Sequence, residues 1–240
     1  MLLKLLKMDF KATYRIFIGL YAALFITVGV QVFRIEIVNN IAAIMYTLLL
    51  TGILFVALAS LVIYYNKSMF KTQAYLTHTL PASEVQILAS KLFVSVVWSI
   101  ITINVILLSI FLLIIVVGGN DFSTYYSMLD FKKFFSYISE NLSTFILMMS
   151  LIVASITLVF SVFYMSLSIV NTRFVKKFKN FFAALIIFGS YWLLSYVNEK
   201  FMYSIDNDVI LLILTYIIPC VICISITLYM NKNFIEVENV

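Results

Sequence analysis

Apolar residues run along this chain in long unbroken blocks, with polar residues gathered between them. Six stretches, residues 16–33, 41–65, 92–117, 142–170, 180–197 and 209–230, contain no Asp, Glu, Lys or Arg. A helix that crosses a bilayer needs roughly 17–25 apolar residues, and each stretch is long enough. They are too long and too uniform for the ten-residue alternation of a barrel strand. Backbone groups in hydrocarbon must be satisfied within their own segment, which predicts helices. The expected fold is an all-α integral membrane protein with six transmembrane helices. No internal repeat or Pro/Gly-rich linker divides it, so residues 1–240 read as one domain.

The connecting segments carry their own periodicities. Lys4, Lys7, Lys11 and Arg15 fall on one helical stripe, with Leu3, Leu6 and Phe10 beside it. Residues 1–15 are therefore expected to form an amphipathic helix at the membrane surface; the alternative is a plain extension of the first span. Ser83 and Gln86 match a capping box, and Glu84 is acidic at the first helical position. The third span should thus begin near Glu84 and run to Val117, about 51 Å at 1.5 Å per residue. Before it, Met69, Phe70, Gln73, Ala74, Leu76 and Leu80 suit a second short helix closed by Pro81. Phe131, Phe134, Phe135 and Ile138 have the spacing of a third short helix after Gly118-Gly119.

Composition and charge sharpen this reading. Hydrophobic residues make up 64% of the chain and charged ones 11%, with a mean hydropathy of +1.10. A soluble domain carries roughly 25% charged residues, so a soluble enzyme, a disordered chain and a secreted disulfide scaffold are excluded. Of the basic residues, twelve lie in the N-terminal segment, the 66–91 and 171–179 loops and the tail, against four elsewhere. That bias predicts cytoplasmic N- and C-termini. It also accounts for the basic pI, so nucleic acid is not an expected partner.

Several chemistries are missing from the sequence. There is no Walker loop for ATP, no HExxH, and a single histidine, His78. Catalytic, cofactor-binding and metal sites are therefore not expected on this chain. The six apolar stretches hold no charge, which argues against ion-coupled transport. Cys220 and Cys223 form a Cys-x-x-Cys inside the last stretch, where packing is the expected role rather than redox work. Asn104 is the most polar residue deep in a stretch; it either faces a substrate path or hydrogen-bonds between helices. Ser150, Ala154, Thr157 and Ser161 form a small-residue seam suited to close helix packing, within the chain or across a dimer.

One segment carries a resemblance. Tyr75-Leu76-Thr77-His78-Thr79-Leu80-Pro81-Ala82-Ser83, followed by Leu88-Ala89-Ser90-Lys91, resembles the first cytoplasmic loop of ABC-2 type permeases. The layout of the whole chain is similar to the roughly 240-residue permeases of Gram-positive bacteria that work with a separately encoded ATPase. The resemblance implies that residues 66–91 form a coupling loop whose helix contacts the ATPase. Phe70, Tyr75, Leu76, His78 and Leu80 would be the contact, Pro81 the turn, and Lys91 the inner membrane boundary. Family members often have a longer outer segment between spans five and six than residues 198–208 provide here.

The function implied is that of the transmembrane subunit of an ATP-driven exporter in a bacterial cell membrane, moving an amphipathic peptide, lipid or drug. Its partners would be ABC ATPase subunits, a second permease subunit, identical or related, and membrane lipid. ATP and Mg would bind the ATPase, with no cofactor on this chain. Two other readings stay open: a six-helix substrate-binding subunit of an ATP-driven importer, and a non-transporting membrane sensor or assembly partner.

Overall fold

A computed structural model describes residues 2–33, 36–71, 73–79, 82–118, 136, 138–172, 178–202 and 209–234. Seven α-helices occupy them: α1 (Leu2–Val30), α2 (Glu36–Phe70), α3 (Ala74–Thr79), α4 (Glu84–Gly118), α5 (Leu142–Val170), α6 (Lys179–Met202) and α7 (Val209–Phe234). No strand occurs among the described residues. All but α3 are long and apolar enough to cross a membrane. The fold is all-α, and the six predicted spans coincide with six helices.

Three local features differ from expectation or refine it. First, α1 is a single helix, with no break between its basic half and its apolar half. Its buried positions, Leu5, Asp9, Thr13, Phe17, Leu24 and Val28, recur at four- or seven-residue spacing. Lys4, Lys7 and Lys11 are exposed, as is Leu3. The face turned into the protein is therefore the Leu5–Asp9–Thr13 face. Second, α2 continues through Met69 and Phe70, both buried, so these residues close α2 instead of opening the next helix. The Gln73 amide donates back to the Lys67 carbonyl at 3.2 Å and ends α2, leaving only six residues for α3. Third, α4 starts at Glu84 as its cap predicts. The Gln86 amide donates to Ser83 Oγ at 3.3 Å, and the Ile87 amide to the Ser83 carbonyl at 3.1 Å. Of the helix expected at Phe131, Phe134, Phe135 and Ile138, the three phenylalanines lie outside the described residues, and residues 138–140 are helical.

The chain divides into two compact units. One comprises residues 1–9, 62–96 and 143–240, and its apolar core joins Val162, Met165 and Cys223 with Ile186, Tyr191 and Ile226 packed against them. Burial along α5 is graded: from Leu158 onward most side chains are buried, whereas most between Leu142 and Ser150 are exposed. The other comprises residues 10–61 and 97–142. Leu24, Val28, Tyr46 and Ile53 form its core. Trp98 stacks on Phe17 at 4.3 Å between ring centroids and donates its indole N–H to Thr13 Oγ1 at 2.9 Å.

Replacing Ser83 with Ala removes the cap of α4, at a cost of about 1 kcal/mol. Amide hydrogen exchange at Gln86 and Ile87 should rise about fivefold, with the middle of α4 unchanged. Exchange read by mass spectrometry checks this.

Candidate functional site

The first unit concentrates its polar chemistry where the start of α1, the end of α2 and the start of α4 meet. Asp9 of α1 is completely buried, and so, almost completely, is Lys91 of α4. Their ion pair has Nζ 3.1 Å from Asp9 Oδ1. A charge removed from water is costly unless it is paired and hydrogen-bonded, and here both conditions are met. The Tyr64 hydroxyl of α2 donates to Asp9 Oδ1 at 2.6 Å. Ser90 Oγ lies 2.9 Å from Asp9 Oδ2 and 2.8 Å from the Ile87 carbonyl, so its one proton is shared between them. The Lys91 ammonium also sits 4.8 Å from the centre of the Tyr64 ring, close enough for a cation–π contact. Three helices thus converge on one carboxylate.

A layer of aromatic hydroxyls extends the network within the same unit. Tyr65 and Tyr164 stack at 3.8 Å between centroids. The Tyr65 hydroxyl is 3.1 Å from Ser168 Oγ and accepts from Asn231 Nδ2 at 3.5 Å. The Tyr164 hydroxyl pairs with Ser95 Oγ at 2.6 Å. Asn171 Nδ2 donates to the Leu167 carbonyl at 2.9 Å and reaches Asn66 Oδ1 at 3.4 Å. The ends of α2, α5 and α7 and the start of α4 are thereby joined through polar atoms that are largely buried.

The loop residues expected to make a contact are divided by this arrangement. Phe70 is 1% exposed and meets the Tyr65 ring edge-on at 5.9 Å, so it belongs to the core beneath the loop. Tyr75 is 75% exposed, next to the fully buried Ala74, so α3 rests on Ala74 and presents Tyr75. Leu76 and His78 lie on α3, but their side chains fall outside the described residues, as do Leu80 and Pro81 altogether. Lys91 is found in the ion pair, inside the protein.

The remaining candidates have clear places. Asn104 is exposed, and its amide donates to the Ile100 carbonyl of its own helix at 2.8 Å. Ser161 is buried, whereas Ser150, Ala154 and Thr157 line an open apolar groove of about 560 Å³ with Ile217 and Cys220 of α7. Ser150 and Thr157 donate to carbonyls of α5 itself. Cys220 and Cys223 are buried free thiols. Among the described residues no group of His, Cys, Asp and Glu is placed to hold a metal ion.

Sequence reasoning missed Asp9 as a buried group. It is the one acid among Lys4, Lys7, Lys11 and Arg15, and that company makes it read as solvated. The available signal was its register: Asp9 lies four residues from Leu5 and from Thr13, on the stripe that continues to Phe17.

Breaking a buried pair by removing one partner costs about 3–5 kcal/mol, whereas apolar replacement of both partners is far milder. Asp9→Asn and Lys91→Met should each lower the thermal unfolding midpoint of the purified protein sharply. The Asp9→Leu/Lys91→Met double variant should recover most of the loss. Unfolding curves of the three variants in one detergent check this. No protein-family model, curated protein or solved structure matches the chain.

Proposed function

We propose that this chain is the transmembrane subunit of an ATP-driven exporter of the ABC-2 permease type, resident in a bacterial plasma membrane with both termini cytoplasmic. One observation carries the reading. A six-residue helix, α3, sits between two membrane-length helices and projects Tyr75 outward, within the segment whose sequence resembles the permease coupling loop. An exposed aromatic on a short, anchored helix is the kind of group that supplies binding energy at a protein interface.

In this reading the ATPase subunits dock on residues 66–91 and supply the energy, which suits a chain without a Walker loop. Tyr75, Leu76, His78 and Leu80 make the contact, and Phe70 supports it from below. Closure of the ATPase pair displaces α3. The ends of α2 and α4 move with it and alter access to the path. Asp9 touches Tyr64 of α2 and both Ser90 and Lys91 of α4, so the start of α1 follows the same movement. A second permease subunit completes the path, and the apolar groove bearing Ser150, Ala154 and Thr157 offers a face for it. Exposed Lys4, Lys7 and Lys11 suit anionic lipid headgroups at the cytoplasmic surface. The cargo is an amphipathic molecule.

Tagged protein extracted gently from its host should bring down a soluble subunit bearing a Walker loop, in stoichiometric amount. Replacing Leu76 and Leu80 together with Asp should weaken that association about a hundredfold, with the permease still folded by its unfolding midpoint. Unchanged recovery of the ATPase with the folded double variant would overturn the coupling-loop assignment.

A further inference from the structure

Within the first unit, α5, α6 and α7 enclose a second open cavity of about 540 Å³, distinct in its lining from the apolar groove. Its walls include Leu158, Val159 and Leu194. Its polar groups include Tyr191, Asn198, Glu199 and Tyr216. We infer that this cavity binds an amphiphile carrying a protonated amine, with the ammonium held by Glu199 and Asn198 and the apolar chain laid along Leu158, Val159 and Leu194.

The sign of the ligand follows from the lining. Glu199 is exposed at the end of a membrane-length helix, and the cavity has no basic side chain among the described residues that line it. Asn198 also lines the cavity, and its Oδ1, turned away from solvent, has no hydrogen-bond partner among the described residues, so rotating the side chain toward the cavity costs that oxygen no bond. A carboxylate and an unpaired carbonyl oxygen are both acceptors, so the missing component is a donor, and a cationic donor satisfies both. The rings of Tyr191 and Tyr216 in the walls suit a cation as well. An anion would face the carboxylate directly, and a neutral chain would leave Asn198 unpaired. The volume falls within the roughly 300–1,000 Å³ range of small-molecule sites. A carboxylate beside apolar walls at a span's end matches a head that stays polar and a tail that does not.

Two sources present this chemistry, a free alkylamine and the ethanolamine headgroup of a phospholipid. The binding is a property of the isolated chain, so its outcome does not hang on the transport reading. The full chain in dodecyl maltoside micelles is titrated with dodecylamine bearing a photoreactive tail, and the labelled peptides are mapped by mass spectrometry. Saturable labelling of the segments around Leu158 and Leu194 is expected, competed by dodecylamine and not by dodecanol. Glu199→Gln should weaken it about tenfold, and Glu199→Asp should stay within about threefold. Glu199 is exposed, so both variants keep the fold, which the unfolding midpoint verifies. Competition by phosphatidylethanolamine assigns the site to a lipid headgroup, and its failure to compete assigns it to a single-chain amine. Equal competition by dodecanol, or wild-type labelling of Glu199→Gln, would overturn the inference.

Discussion

Burying a carboxylate and an ammonium together is the demand around which one end of the first unit is arranged. Each ion loses several kcal/mol of hydration even after its surroundings relax. Attraction across 3.1 Å offsets this only when the remaining lone pairs and protons also find partners. Asp9 receives Tyr64 and Ser90 in addition to Lys91, and the ring of Tyr64 covers the ammonium. These requirements restrict the backbone. The start of α1, the end of α2 and the start of α4 must all be within side-chain reach of one carboxylate, which a slide of any of them by a helical turn would break. The pair therefore acts chiefly as a register mark, and its net contribution to stability is secondary.

A chain this apolar needs such marks. Where lipid is as apolar as the side chains, burial alone does not distinguish one helix register from another. Aromatic side chains paired with Ser or Thr recur as the answer. In the first unit Tyr65 meets Ser168, and Tyr164 meets Ser95. In the second, Tyr21 meets Thr102, Tyr46 meets Ser109, and the Trp98 indole meets Thr13. Each joins a large ring on one helix to a small hydroxyl residue on another. The ring supplies contact area and the polar tip fixes where along the helix that contact falls. Ser95, Thr102 and Ser109 also donate to carbonyls of their own helix, so each accepts from its tyrosine, whereas the bonds of Ser150 and Thr157 stay within α5 and specify nothing about neighbours.

The parts of this structure that sequence reveals are those set by local rules. Span positions follow from uninterrupted apolar runs, and the start of α4 follows from Ser83 and Gln86, because capping is decided within four residues. The end of α2 was misplaced because Met69 and Phe70 look alike in a helix that ends and in one that begins; only their burial, with Phe70 against the Tyr65 ring, separates the two cases. The burial of Asp9 is hidden from the sequence for a related reason. Leu3 and Phe10 are more apolar than Asp9, and Asp9 is buried only because Tyr64, Ser90 and Lys91 arrive from 55 to 82 residues away. Asn104 shows the same limit: its sequence position marks it as polar in an apolar run, while its partner is simply the carbonyl one turn back.

The ion pair and the loop helix are linked by length. Isolated helices shorter than about 12–15 residues are marginal in water, and α3 has only six. Its conformation must therefore be imposed by its attachments, through the buried Ala74 and the closed end of α2 at Met69 and Phe70. The loop leaves α2 a few residues after Tyr64 and enters α4 a few residues before Ser90 and Lys91, so both its anchors are held by Asp9. A change that loosens Asp9 is consequently felt at both ends of the loop, whereas one confined to the exposed Tyr75 leaves both anchors in place. That asymmetry separates the two roles physically: Asp9 and Lys91 position the loop, and α3 presents it.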